Sequence, residues 1–113
     1  MPFIDSKITI PVKRETKEKI KTELGKAITA LHKTETYLMV GIEDNYDLWM
    51  GGHKLDKGAY VSVSLFGNAA PADYDKMTGL ICSLYEKELG IPGSAVYVTY
   101  HPISDWGWNG HNF

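Results

Sequence analysis

The residue with the most unusual chemistry in this chain is Pro2, which follows Met1 at the start of an apolar segment. A proline nitrogen within a chain is part of an amide and cannot act as a base. Proline is small enough to permit removal of a preceding Met1, and removal would leave a free secondary amine on Pro2. Because burial disfavours the charged form of an amine, a hydrophobic strand would keep that nitrogen unprotonated. The sequence therefore predicts a general base at Pro2, which a retained Met1 would abolish.

The other residue types that commonly do chemistry do not show the spacing of a site. Four histidines are scattered along the chain: His32, His53, His101 and His111. They match no metal-binding motif, and we expect neither a metal nor a cofactor. The single cysteine, Cys82, excludes an intramolecular disulfide and a redox-active cysteine pair. The pair Gly51-Gly52 lacks the Lys-Ser/Thr that follows in a phosphate-binding loop.

Composition and charge are those of an ordinary single domain. The chain has 113 residues, of which 43% are hydrophobic and 23% charged, and its formal net charge is −2. We assign residues 1–113 to one domain, which can bury roughly 65% of its unfolded surface. The charge gives no footprint for nucleic acid, and no apolar run approaches the roughly 18 residues of a membrane span. Without a recognisable signal peptide, we expect a cytoplasmic protein, and secretion by a route that needs no signal peptide stays open.

The hydrophobic pattern predicts two repeats of strand, helix and strand. Alternating apolar residues predict strands at residues 2–10, 36–42, 59–66 and 95–100. Apolar stripes of helical spacing predict helices at residues 13–31 and 71–89. Two such units form one four-stranded sheet with both helices on one face. The predicted fold class is therefore α+β, with the order β-α-β-β-α-β.

The sheet face without helices sets an expectation about assembly. We expect Ile, Val, Tyr and Met residues on that face as well, and a monomer would leave them exposed. Large exposed apolar surfaces usually mark an interface. The sequence therefore predicts a homo-oligomer, with closed cyclic symmetry.

Six short segments, in their order and spacing, resemble the family of macrophage migration inhibitory factor and D-dopachrome tautomerase. They are Pro2-Phe3-Ile4, Leu31-His32-Lys33, Gly51-Gly52, Leu65-Phe66-Gly67, Val96-Tyr97-Val98 and Gly107-Trp108-Asn109. The resemblance covers residues 2–113, and the combination is specific although no single segment is. It implies a subunit of the tautomerase superfamily that assembles as a homotrimer, with active sites between adjacent subunits.

The resemblance also implies roles for individual residues. Pro2 would be the catalytic base and Lys33 the catalytic cation. The segment that begins at Leu65 would bind the ligand through the backbone N–H of Phe66. The remaining implied substrate contacts are Tyr37, Tyr97 from a neighbouring subunit, Thr99 in place of the family's asparagine, Trp106, Trp108 and Phe113.

These groups suit the keto–enol tautomerisation of an aromatic α-keto acid such as phenylpyruvate. The base must be neutral, and an ordinary α-amino group has a pKa of about 7.7 to 8.0. Desolvation and the positive charge of Lys33 would both lower the pKa of the Pro2 amine. A depression of about 2 pKa units costs about 2.7 kcal/mol, which burial can supply. Lys33 would also attract the substrate carboxylate or the enolate oxygen, and the aromatic residues would stack on the ring.

Two other interpretations stay open. The chain could be a cytokine-like signalling or binding protein with a vestigial pocket, for which the sequence identifies no host receptor. The Cys-x-x-Cys segment of mammalian family members reads Gly58-Ala59-Tyr60-Val61 here, which excludes a thiol-exchange activity built on it. The chain could also be a ferredoxin-like regulatory or RNA-binding domain. That interpretation requires a basic, aromatic sheet face, which the acidic balance disfavours.

Overall fold

The computed structural model describes residues 1–113 as one four-stranded sheet, two long helices and two small hairpins. The strands are β1 (Pro2–Ile8), β2 (Met39–Glu43), β3 (Trp49–Met50), β4 (His53–Lys54), β5 (Ala59–Phe66), β6 (Val96–Ile103), β7 (Gly107–Trp108) and β8 (His111–Asn112). The helices are α1 (Arg14–Ala27) and α2 (Pro71–Leu89). Short 3-10 turns occupy Ile28–Leu31, Glu35–Tyr37 and Gly93–Ala95.

The large sheet has the strand order β2-β1-β5-β6. β1 is parallel to β2 and antiparallel to β5, and β5 is parallel to β6. Parallel neighbours need a crossover connection, which α1 supplies in the first half and α2 in the second. The predicted α+β fold of two β-α-β units is therefore confirmed. The register aligns Pro2 with Leu65 and Leu65 with Pro102, so the start of β1 lies level with the ends of β5 and β6.

The second helix begins and ends at signals that are visible in the sequence, whereas the first ends at a residue that the sequence does not mark. Pro71 occupies the first turn of α2, and Gly90 follows the helix with a φ of 69°, in the left-handed region that favours glycine. The apolar stripe of α1 continues into the 3-10 turn Ile28–Leu31. His32 then adopts a φ of 60° and ends the helical path. This left-handed residue fixes where Lys33 leaves the helix.

The core lies between one face of the sheet and the two helices. Alternate residues of β1 and β5 are buried, and Ile4, Val61 and Val63 have no exposed surface. They belong to a cluster of 18 buried hydrophobic residues that includes the inner stripes of both helices. The buried hydroxyl of Ser6 forms a hydrogen bond with the hydroxyl of Tyr85. Burial raises the pKa of the Tyr85 phenol to about 12.

The opposite face of the sheet corrects the argument for an oligomer. Strand alternation sends most Ile and Val residues to the helix side, so the open face carries many polar residues, among them Asp5, Ser62 and Ser64. Its most exposed apolar residues, Met39 and Tyr97, lie on the two outer strands. The expected continuous apolar face is absent, because side chains that are two residues apart share one side. The homotrimer remains a prediction from the resemblance alone.

The bounds of several elements differ from the predicted ones. The predicted strand at residues 36–42 divides into the turn Glu35–Tyr37 and β2. β6 continues to Ile103 because it pairs with β5 along its whole length. The hairpins β3–β4 and β7–β8 have strands of two residues, too short for a periodic signal. Neither α-helix has the length and hydrophobicity that a membrane crossing requires.

Candidate active site

A cavity of about 710 Å³ opens at the end of the sheet where β1 begins. It is lined by residues 1–3, residues 36–39, Ser64, Ile103 and residues 105–108. Eight of the thirteen lining residues are hydrophobic. A second groove, of about 320 Å³, lies between α1 and α2 and is lined by Lys and Glu side chains, Ser83 and a few apolar residues. Only the first cavity contains the groups from which a base and a ligand pocket can be built.

Pro2 is the one buried residue among those that line this cavity. It is the first residue of β1, and its residue surface is buried while that of Met1 is only partly covered. The carbonyl of Met1 accepts a hydrogen bond from the N–H of Phe66, at 2.9 Å. Burial, and secondly the positive charge of Lys33, lower the pKa of the Met1 amine below its ordinary value of 8.0. The environment at the head of β1 therefore favours a neutral amine.

Lys33 reaches the same region from the helix side. Its ammonium Nζ donates a hydrogen bond to the carbonyl of Phe66, at 2.9 Å. The next backbone group is fixed as well, because the N–H of Gly67 donates to the carbonyl of Ile103 at 2.9 Å. Both backbone polar groups of Phe66 thus point to the N-terminal region, one bonded to Lys33 and one to Met1. The geometry brings together the predicted base, the predicted cation and the predicted backbone donor.

Aromatic side chains form a connected wall beside these polar groups. The rings of Tyr37 and Trp108 meet edge to face, with centroids 5.5 Å apart. Trp108 stacks on Phe113 at 6.3 Å with an interplanar angle of 9°, and Phe113 lies 5.5 Å from Phe66. Trp106 lines the cavity next to Trp108. Aromatic pairs at these distances are stabilising, and the exposed edges of the wall leave room for a ligand ring.

Three of the predicted site residues, Leu65, Tyr97 and Thr99, do not line the cavity of this subunit. Leu65 pairs with Pro2 across the sheet, and its side chain is completely buried. Tyr97 is 65% exposed and lies five residues before Pro102 on β6, roughly 17 Å along the strand from the level of Pro2. The hydroxyl of Thr99 is hydrogen-bonded to Tyr60 and to His101, both at 2.8 Å.

The cavity also includes residues that the sequence pattern does not single out. Asp105 follows β6 and is the only charged side chain in the lining, and Met39, which is 68% exposed, closes another side. No local motif marks either residue, since long-range contacts bring them to the site. No group of three or more His, Cys, Asp and Glu side chains is placed to hold a metal ion.

Comparison with known proteins agrees with this architecture. The family model of macrophage migration inhibitory factor matches residues 1–113. The macrophage migration inhibitory factor of Xenopus laevis is 31% identical over 64 residues, which are 55% of this chain and 56% of the frog protein. That alignment therefore spans little more than half of the relative's length.

Solved structures extend the likeness to the whole chain. The MIF2 protein of Leishmania major has a TM-score of 0.93 at 30% identity, over 100% of this chain and 97% of that one. The macrophage migration inhibitory factor homologue of Prochlorococcus marinus has a TM-score of 0.87 at 26% identity, over 98% of each chain. Given the family match over every residue, this chain belongs to the macrophage migration inhibitory factor family, within the tautomerase superfamily.

Proposed function

We propose that the chain is a cofactor-free keto–enol tautomerase for aromatic α-keto acids such as phenylpyruvate, with Pro2 as the general base. The observation that carries this proposal is that Pro2 is the one buried residue in the lining of a cavity of about 710 Å³, most of whose lining is hydrophobic. Removal of Met1 would place a secondary amine there. The amine would take a proton from the carbon next to the keto group, and a proton would be delivered to the keto oxygen.

The electrostatics of the head of β1 support a neutral base. The pKa of the Met1 amine is lowered by burial and by the charge of Lys33. Without Met1, the terminal amine belongs to Pro2, which is one residue further into the strand and more deeply buried. The same two causes then act on the Pro2 amine and favour its neutral form. A neutral amine at pH 7 is the form that general-base catalysis requires.

Loss of Met1 would also release a hydrogen-bond donor. The N–H of Phe66 is occupied by the Met1 carbonyl, at 2.9 Å, and becomes available once Met1 is gone. A fixed backbone donor stabilises negative charge that develops on an oxygen. Lys33 Nζ is held at the carbonyl of the same residue. The donor and the cation would therefore serve the enolate oxygen and the substrate carboxylate, while Tyr37 and Trp108 contact the ring.

We further propose that the site is completed by a neighbouring subunit of a homotrimer. Tyr97 and Thr99 lie on the open face of β6, far along the strand from the cavity of their own subunit. The 65% exposure of Tyr97 leaves its ring free to contact a second copy. An aromatic ring that reaches over from the neighbour would cover the ligand and exclude water from it.

The test compares two preparations of the full chain, one with Met1 and one without it, each verified by intact mass. Enol–keto exchange of phenylpyruvate is measured by absorbance, and the mass of the assembly by light scattering. We expect equal assembly in both preparations and exchange only in the chain that lacks Met1. If the processed chain assembles as a trimer but does not accelerate exchange, Pro2 is not a base. A signalling or binding role with a vestigial pocket would then replace the proposal.

A further inference from the structure

Asp105 is the only charged side chain that lines the cavity, and no other side chain neutralises it. The other twelve lining residues are apolar, aromatic, hydroxyl-bearing or glycine. The carboxylate of Asp105 takes part in no ion pair and in no hydrogen bond with a protein group. A carboxylate without a protein partner, on the wall of an aromatic cavity, is available to a ligand.

The backbone holds Asp105 in place on both sides. The carbonyl of Ile103 accepts the N–H of Gly67 at 2.9 Å, and the carbonyl of Trp106 accepts the N–H of Phe113 at 3.1 Å. The first bond ties the end of β6 to the end of β5, and the second closes the C-terminal hairpin. Asp105 lies between these two fixed points. Its presence in the cavity wall is therefore a consequence of the fold.

Asp105 lies three residues beyond Pro102, the residue of β6 that is level with Leu65 and Pro2. It is exposed to solvent, whereas Pro2 is buried. Burial and the charge of Lys33 lower the pKa of the Met1 amine, so Lys33 acts at the Pro2 end of β1. The charge of Lys33 therefore acts at the Pro2 end, outside the cavity lining, whereas the Asp105 carboxylate is exposed within that lining.

The proposed function sets the direction of a bound aromatic α-keto acid. Its carboxylate faces Lys33, its acidic carbon faces Pro2, and its ring extends along the wall that Tyr37 and Trp108 form. The far end of the ring then meets the Asp105 carboxylate, which accepts hydrogen bonds and cannot donate them. A hydrogen-bond donor at that end is attracted, and a second negative charge is repelled.

We propose that Asp105 determines substrate specificity by selecting against a negative group, and for a hydrogen-bond donor, at the far end of the substrate ring. This inference rests on the proposed tautomerase function. It requires that kcat/KM follow the order 4-aminophenylpyruvate, phenylpyruvate, 4-carboxyphenylpyruvate. A typical hydrogen bond changes affinity by about 2- to 10-fold, and repulsion of the second carboxylate adds to this, so the amino and carboxy substrates differ by at least about 2- to 10-fold.

The experiment measures this ratio in the processed chain, in Asp105→Asn and in Asp105→Lys. We expect Asp105→Asn to reduce the ratio of amino to carboxy substrate to near one, and Asp105→Lys to invert it. Asp75→Asn is the matched control, because Asp75 is an exposed residue of α2 outside the cavity and its loss changes the net charge equally. The ratio in the Asp75 variant stays at the wild-type value. An unchanged ratio in both Asp105 variants would overturn the inference.

A second readout separates this inference from the proposed function. Quenching of the cavity residues Trp106 and Trp108 reports the Kd of the same three compounds without any turnover. If no compound is turned over but the Kd ratio still depends on Asp105, the base assignment fails and the selectivity stands. If phenylpyruvate is turned over while neither ratio responds to residue 105, the tautomerase stands and the selectivity fails.

Discussion

The same strand, β1, borders both the core between sheet and helices and the cavity at the end of the sheet. The two regions differ in whether their polar groups have partners within the protein. In the core, the hydroxyl of Ser6 is paired with that of Tyr85, and no buried side-chain nitrogen or oxygen lacks a partner. In the cavity, Asp105 has no partner and Met1 occupies a backbone donor that its removal would free. A closed interior must satisfy its polar groups, since each unpaired one costs about 1–3 kcal/mol. Groups left unpaired in an open cavity therefore mark where a ligand can bind.

The difference arises within seven residues of one strand. Ile4 and Ile8 point toward the helices and are completely buried. Pro2 continues the same buried row, yet it lines the cavity. One alternating pattern therefore builds the core and carries the candidate base to the edge of that core. Substitutions in the cavity and in the core are therefore expected to affect different properties, activity in the first and stability in the second.

The largest expected effect is on activity, in Pro2→Ala. Alanine also permits removal of Met1, so the variant presents a primary amine in place of the rigid secondary one. Since general-base catalysis contributes about 10²–10⁴-fold, we expect kcat for phenylpyruvate to fall by about 10²-fold or more. The melting temperature should stay within a few degrees of the wild-type value. Pro11→Ala, an exposed proline outside the cavity, is the control, and equal kcat in both variants would remove Pro2 from the reaction.

The next largest effect is on stability, in Ile81→Ala. Ile81 is completely buried on the inner stripe of α2, and truncation of such a residue costs about 2–5 kcal/mol. Leu80→Ala makes a similar deletion at the adjacent residue, which is 40% exposed, and should cost about 1 kcal/mol. Urea unfolding at one protein concentration measures both. If the two variants lose equal stability, the packing difference between the faces of α2 has been misjudged.

The sequence predicts most of the fold because its main signals are local. β5 has the predicted bounds, and Pro71 and Gly90 mark the ends of α2 as expected. The turn at Glu35–Tyr37 is not predicted. Tyrosine is typical of strands, but Tyr37 packs on Trp108, which is 71 positions later in the chain. Contacts of that range have no periodic signature. The sequence also does not indicate which residues of each strand face the helices. The prediction of an apolar open face is wrong for this reason.

The candidate site is predictable only where a terminus or a family resemblance marks a residue. Pro2 is conspicuous because a terminal proline has its own chemistry, and Lys33 is identified by resemblance. Asp105 is marked by neither a terminus nor the resemblance. It lies in the cavity wall because hydrogen bonds from Gly67 and Phe113 hold the segments on either side of it. The structure is needed to find a residue whose position depends on two hydrogen bonds to distant strands and loops.

The smallest effect concerns the pH profile, and it tests how the charge of Lys33 acts on the terminal amine. The charge of Lys33 disfavours a protonated amine, so it lowers the pKa of the terminal amine. Lys33→Met removes that charge, and the pKa of the base should rise, which moves the inflection of kcat/KM to higher pH. Burial is the larger cause of the lowered pKa of the Met1 amine, so the variant should recover only part of the depression. Lys33→Arg keeps the charge and should keep the inflection at the wild-type pH. If Lys33→Met has the same inflection as the wild type, burial alone sets the pKa.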